Sequence, residues 1–186
     1  MAQKAKLRVI SGTFKGLKIS FSPSELLRPT PQRTKETLFN WLQLHIKDSR
    51  CLDLFAGTGN LGFEALSRGA KEIIFVDRDK HLLQAINALI KQLDLDKKTQ
   101  IVAMDSLKYL KSNREKYDII FLDAPFDTNL NKEALSLIEK QKLLSENGLI
   151  YYEHDKKLSD EEISPFSLIK HQKTGQVYSY LLELNK

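Results

Sequence analysis

The chain has 186 residues, 41% hydrophobic and 28% charged, the balance of a folded domain and not of a disordered tract. No apolar run approaches the ~20 residues that span a bilayer, and no apolar stretch follows the charged start, so neither a membrane anchor nor a signal peptide is expected. One cysteine, Cys51, excludes an internal disulfide and fits a reducing, cytoplasmic location; it reads as a small buried residue entering a strand.

The net charge of +5 is unevenly placed. Residues 1–50 hold ten Lys/Arg and three Asp/Glu, a balance of +7, so the remainder is slightly acidic. That asymmetry suits a polyanion docking on the N-terminal part, or a merely solubilising surface.

In chain order, Leu7–Ile10 and Leu17–Phe21 flank a turn-rich link, which predicts a β-hairpin. Ser22-Pro23-Ser24 reads as a loop. Thr30-Pro31 reads as an N-cap and first helical residue, opening an amphipathic helix over 31–46. Its stripe is Leu38, Trp41, Leu42 and Ile46, and its polar side carries Arg33, Lys35 and Asn40. Beyond residue 50, strands expected at 50–55, 72–77, 99–103, 117–122 and 147–153 alternate with helices at 60–68, 79–93, 105–112 and 129–142. That is the pattern of a parallel sheet covered on both faces, an α/β fold. Leu52–Phe55 and Ile119–Leu122 are apolar enough for central strands. Phe166–Lys170 and Val177–Glu183 flank Lys173-Thr174-Gly175-Gln176, an antiparallel hairpin closing one sheet edge. Two parts are expected: a basic N-terminal extension over 1–46 and a Rossmann-like domain over 47–186.

Gly57-Thr58-Gly59-Asn60-Leu61-Gly62 spells G-x-G-x-x-G between an expected strand and helix, and Asp77 ends the next strand twenty residues on. Glycines let backbone approach a ligand, and an acid at that distance can hold a ribose. A tight turn without ligand is the plainer alternative. Asp53 decides between nucleotide cofactors. A dinucleotide lays a pyrophosphate at this turn, and two like charges ~4 Å apart repel by roughly 4 kcal/mol at an effective dielectric of about 20. S-adenosylmethionine brings an ammonium and a sulfonium instead, which a carboxylate favours. Asp105 can accept from the adenine amino group, or simply cap the helix that follows it.

Asp123-Ala124-Pro125-Phe126 follows the fourth of these strands, so Asp123 and Asp53 are expected in one cleft beyond the strand ends. A base's exocyclic amine is a poor nucleophile because its lone pair is delocalised into the ring. A carboxylate and a backbone carbonyl that accept its two N–H bonds favour the localised, pyramidal form. Phe126 can stack on a flipped base, and Pro125 keeps the preceding carbonyl aimed. The bland reading is a strand-ending turn. The four histidines show no metal-ligand spacing, and no metal is expected.

Three stretches carry a resemblance: Leu7–Lys18, Arg28–Leu42 with its Arg28-Pro29-Thr30 and Glu36-Thr37-Leu38-Phe39-Asn40-Trp41-Leu42, and Asp53–Ala70. They resemble the bacterial 16S ribosomal RNA guanine-N2 methyltransferase family, named for guanine 966. The resemblance implies a class I S-adenosylmethionine-dependent methyltransferase fold, with seven strands of which one is antiparallel. It also implies methylation of guanine N2 in 16S RNA of the small (30S) ribosomal subunit. By position, it implies that Asp53, Phe55, Gly57, Gly59 and Gly62 form the cofactor turn, with Asp77 on the ribose and Asp105 on the adenine. Asp123, Ala124, Pro125 and Phe126 would hold the target base, and Arg8, Lys15, Lys18, Arg28 and Arg33 would meet RNA phosphates. A monomer suffices for all of this. The family usually reads Asp-Pro-Pro-Phe or Asp-Pro-Pro-Tyr. Ala124 departs from that pattern, and reduced preorganisation with retained activity is expected. Rival readings are a methyltransferase for adenine N6 or protein glutamine, an RNA-binding assembly factor without chemistry, and, disfavoured by Asp53, an NAD dehydrogenase.

Overall fold

A computed structural model describes residues 5–21, 32–126 and 128–185. The loop expected at 22–24, the Thr30-Pro31 cap and Arg28 lie outside the described residues. The elements in chain order are β1 (Ala5–Arg8), β2 (Lys18–Phe21), α1 (Gln32–Trp41), β3 (Arg50–Asp53), α2 (Asn60–Ser67), β4 (Glu72–Asp77), α3 (Lys80–Gln92), β5 (Thr99–Ala103), α4 (Ser106–Ser112), β6 (Tyr117–Leu122), α5 (Leu130–Gln141), β7 (Leu144–His154), α6 (Asp160–Ile163), β8 (Phe166–Thr174) and β9 (Val177–Leu184).

β1 and β2 pair antiparallel, with Leu7 opposite Ile19. The other seven strands form one sheet in the order β5-β4-β3-β6-β7-β9-β8. β5, β4, β3, β6 and β7 are mutually parallel. β9 runs antiparallel between β7 and β8, so it alone opposes the others. Chain order reverses direction at β3, whose neighbours are β4 and β6. Ligands of open α/β sheets collect beyond the carboxyl ends of strands at such a switch point.

Alternate residues of the central strands feed two cores, as the period of two requires. Cys51, Ile73, Phe75, Ile119, Phe121 and Tyr151 face α2 and α3. Leu52, Ile74, Val76, Ile120, Leu122 and Ile150 face α4 and α5. Cys51 is buried and free, and burial pushes its thiol up to about 12.

The first core also contains Val9 and Ile19 of the N-terminal hairpin, and Leu38, Phe39 and Leu42 of the α1 region. Extension and sheet therefore share one apolar interior. Their junction is a buried ion cluster. Glu64 of α2 is fully buried, and it pairs with Lys35 at 3.3 Å and Arg68 at 2.8 Å. It also accepts from the backbone N–H groups of Ile10 and Ser11. Lys35 Nζ donates to the Arg8 carbonyl and to Asn60 Oδ1. The placement of Lys35 on the polar side of α1 is thus corrected: it is 2% exposed. Burial lowers its pKa, and Glu64 opposes that shift. Beside the cluster, Gly12 adopts φ +83° with its Cα against α2, where a Cβ would lie 1.8 Å from the Ser67 carbonyl oxygen. Only glycine fits there.

Several boundaries differ from expectation: β1 spans Ala5–Arg8 and not 7–10, β3 ends at Asp53 and not at 55, and β8 runs on to Thr174. The helix expected to reach residue 46 ends at Trp41. Beyond it, the Asp48 backbone N–H donates to the Gly69 carbonyl and Ser49 Oγ to the Ile46 carbonyl, and these bonds turn the chain into β3. Leu42 and Ile46 stay buried in the turns. β7 starts at Leu144, because Leu144 pairs with Tyr117 before a register shift carries the strand past Asn147, at φ +59°, and Gly148.

Candidate active site

The turn after β3 is built on left-handed backbone, with Gly57 at φ +53° and Gly59 at φ +75°. Side chains other than glycine rarely adopt it, so both positions call for glycine. The Gly59 N–H closes the turn on the Ala56 carbonyl at 2.7 Å. Gly62 sits lower, in the first turn of α2. A Cβ there would lie 2.2 Å from the Phe75 ring, so this glycine lets α2 pack close on β4. Its N–H donates to Asp53 Oδ2 at 3.0 Å. Phe55 is partly buried against the α4–α5 core.

Asp77, at the end of β4, accepts from the N–H of Gly57 at 2.8 Å and of Asp79 at 2.9 Å, tying the two loops together. Asp105 caps α4 by accepting from the Lys108 N–H at 3.0 Å. Next to it, Ser106 Oγ donates to the Leu54 carbonyl and anchors α4 to the chain leaving β3.

Asp53 and Phe121 are direct partners across β3 and β6. Asp123, two residues on, therefore leaves the sheet beside Asp53. Burial raises the Asp53 carboxyl well above the usual carboxylate range; the Gly62 N–H opposes the shift, and Asp123 and Asp77 add to it. Two acids and no base act on Asp53 among the described residues. Such a site takes a positively charged ligand group and rejects a phosphate. The chemistry of that donor set fits S-adenosylmethionine, which Asp53 and Asp77 could hold.

Ala124 is buried, Pro125 exposed and Phe126 half-buried. The Pro125 carbonyl accepts from Thr128 Oγ1 at 2.7 Å, which folds the loop back on itself. Phe126 packs on His154 with ring centroids 5.7 Å apart, and His154 stacks on Tyr152. These three rings line a cavity of about 350 Å³, together with Lys132, Lys156, Lys157 and Glu162, the last paired with Lys132 at 3.4 Å. Asp123 thus leaves the sheet beside the acidic, glycine-lined turn, and Phe126, three residues on, lines the aromatic, lysine-rich cavity.

Of the basic residues expected to meet phosphates, Arg8, Lys15, Lys18 and Arg33 are exposed. Sequence reasoning missed Tyr152, His154 and Asn131. Asn131 is 2% exposed and bonds to the loop at Ala124. A signal for it existed: it shares the helical stripe of Ala134, Leu135 and Ile138, and a polar residue on a buried face needs partners.

A family model described as conserved hypothetical protein 95 matches residues 7–183. The chain belongs to this family. Its relatives include the ribosomal RNA small subunit methyltransferase D of Haemophilus influenzae, 40% identical over 98% of this chain and 95% of that protein. The protein of the same name from Escherichia coli K12 is 38% identical over 81% of this chain and 75% of that protein. A putative methyltransferase structure from Escherichia coli superposes with a TM-score of 0.84 at 30% identity, covering 97% of this chain and 99% of that one. A putative methylase from Haemophilus influenzae superposes with a TM-score of 0.82 at 37% identity, covering 98% and 100%. The family member described here has the class I methyltransferase fold, with the C-terminal antiparallel hairpin expected from the sequence.

Proposed function

We propose that this protein transfers a methyl group from S-adenosylmethionine to the N2 amine of a guanine, guanine 966 by family resemblance, in 16S RNA of the small ribosomal subunit. The observation that carries the reading is the placement of Asp53 and Asp123 at the carboxyl ends of adjacent strands, across the switch point. The names of the relatives support the RNA class. The aromatic, lysine-rich cavity supports a nucleic acid acceptor, since rings stack bases and lysines meet phosphates.

When bound, the cofactor supplies an electrophilic methyl on a sulfonium whose sulfur keeps the electron pair as the methyl leaves. The protein contributes position. Asp53 sets negative charge beside the cofactor's cations, Asp77 takes the ribose, and Asp105 is the candidate for the adenine. Gly57 and Gly59 let the ligand lie against backbone. Asp123 and the Ala124 carbonyl accept the two N–H bonds of the acceptor amine, while Phe126 stacks on the base. Asp123 leaves the sheet beside Asp53, so an amine held at Asp123 would stand next to the cofactor's methyl, and the proton its nitrogen sheds after attack would pass to water. Arg8, Lys15, Lys18, Arg28 and Arg33 meet phosphates. The protein works in the cytoplasm as a monomer.

Tritiated methyl transfer tests this reading. Small subunits lacking the modification should take up label at a single guanine, located by mass mapping, while DNA and protein substrates should not. Label in DNA or protein and none in RNA would overturn it.

A further inference from the structure

We infer that Asn131 is a positioning residue that clamps the Asp123–Ala124 peptide, replacing the constraint a proline at 124 would supply. The turnover part of this inference rests on the function proposed above.

Ala124 carries an N–H that proline lacks, and it is 2% exposed. A donor buried there must find an acceptor or destabilise the loop. It finds Asn131 Oδ1 at 3.2 Å. The same amide donates through Nδ2 to the Glu153 carbonyl at 2.8 Å. A flipped amide would face donor to donor and acceptor to acceptor, so the side chain has one usable orientation. Its far end is anchored in the sheet: Glu153 is paired with Ser179 of β9, and Tyr151 donates to the Glu153 carboxylate.

The bond from Ala124 fixes the plane of the peptide joining it to Asp123. Pro125 restricts the other side of Ala124 to extended backbone. The two acceptors proposed for the amine, the Asp123 carboxylate and the Ala124 carbonyl, are thereby held from both directions. Asn131 is buried behind the loop and acts through Ala124, not on the substrate.

A proline at 124 has no N–H, and its ring would face Asn131 Oδ1, leaving that oxygen buried without a donor. Alanine with asparagine is therefore one matched pair. Proline with a residue of similar shape that lacks an acceptor, such as leucine, is another. The effect of proline must change sign with the residue at 131.

Four full-length proteins test this: the parent, Ala124→Pro, Asn131→Leu and the double variant. Each is assayed by single-turnover methyl transfer to small subunits lacking the modification. Titration calorimetry reports S-adenosylmethionine affinity, and thermal melting reports stability. Each single change should slow transfer by about tenfold to a hundredfold, as small misplacements do, while cofactor affinity stays within about threefold. Adding proline to Asn131→Leu should raise the rate. Both variants with leucine at 131 lose the bond to Glu153, so the double is judged against Asn131→Leu. Proline acting in the same direction in both backgrounds overturns the pairing. Slowing that merely follows the fraction folded overturns the positioning role. If the parent transfers no methyl to RNA, the proposed function fails, but melting still reads the pairing: proline should lower Tm by about 2–8 °C beside the native Asn131 and raise it in the Asn131→Leu background.

Discussion

Asp53 is buried beside two other acids, and its hydrogen bond comes from a backbone N–H, not a cation. Its pKa is raised in the folded chain, so folding favours the protonated form. That contribution is fully present below the unfolded carboxylate pKa and is lost as pH rises through the folded value. At alkaline pH the ionised group destabilises the cofactor-free protein. Asp53→Asn should therefore raise its Tm there by a few degrees, about 2–4 °C per kcal/mol, with little gain in acid. Cofactor cations favour the ionised form, so affinity in the parent should climb with pH and binding should release a proton. Calorimetry in buffers of different ionisation enthalpy reads that proton. The Asn variant should bind about tenfold or more weakly, without the pH dependence. Asp123→Ala makes a contrasting case: turnover should vanish while cofactor affinity stays nearly intact. Loss of both would make Asp123 structural. The carboxylates were legible because Asp123 follows the apolar run Ile119–Leu122 and Asp53 interrupts the apolar run before the glycine turn. The partners of Ala124 were not, since Asn131 meets it only after α5 folds back on the loop.

At the scale of elements, α2 links the parts. Its first residues follow the glycine turn, and its Glu64 gathers Lys35, Arg68 and two N-terminal backbone donors. Removing one partner of a buried pair leaves a charge uncompensated, at a cost of about 3–5 kcal/mol. Glu64→Leu strands Lys35 in this way and should lower Tm strongly. Lys35→Met keeps the apolar stem and leaves Glu64 with Arg68 and both N–H donors, so its loss should be smaller. Denaturant melts of the two variants check the order, and equal losses would show that the cluster does not centre on Glu64. Lys35 repeats the lesson of Asn131. It lies three residues before Leu38 and four before Phe39, on the apolar stripe, yet its charge suggests a solvated face. Its distant partners, Glu64 29 residues on, Asn60 and the Arg8 carbonyl, explain its burial.

The molecule as a whole sets an exposed basic N-terminal segment on the sheet that carries the acidic site, with one core joining them. Arg8, Lys15, Lys18 and Arg33 point to solvent, and their effect on RNA should be electrostatic and insensitive to sequence. Replacing Lys15, Lys18 and Arg33 by Gln should weaken RNA binding and reduce the slope of log affinity against log salt by about 0.7–0.9 per lost phosphate contact. Filter binding at several salt concentrations measures the slope, with cofactor affinity as the control. An unchanged slope would move the RNA surface elsewhere on the protein.

The sequence by itself determined what depends on neighbours along the chain. Periodicity set the alternation of strands and helices, and positive-φ turns fell on Gly57 and Gly59. Strand ends carried Asp53, Asp77 and Asp123. Only the tertiary structure decided what depends on distant segments. It buried Lys35 on Glu64, packed Gly62 against Phe75, ended α1 at Trp41, brought His154 to Phe126 and set Asn131 behind Ala124. Each of those pairings satisfies a polar group or fills a space that comes into being when the sheet closes. No local pattern encodes such a partner, because the need for it arises from burial.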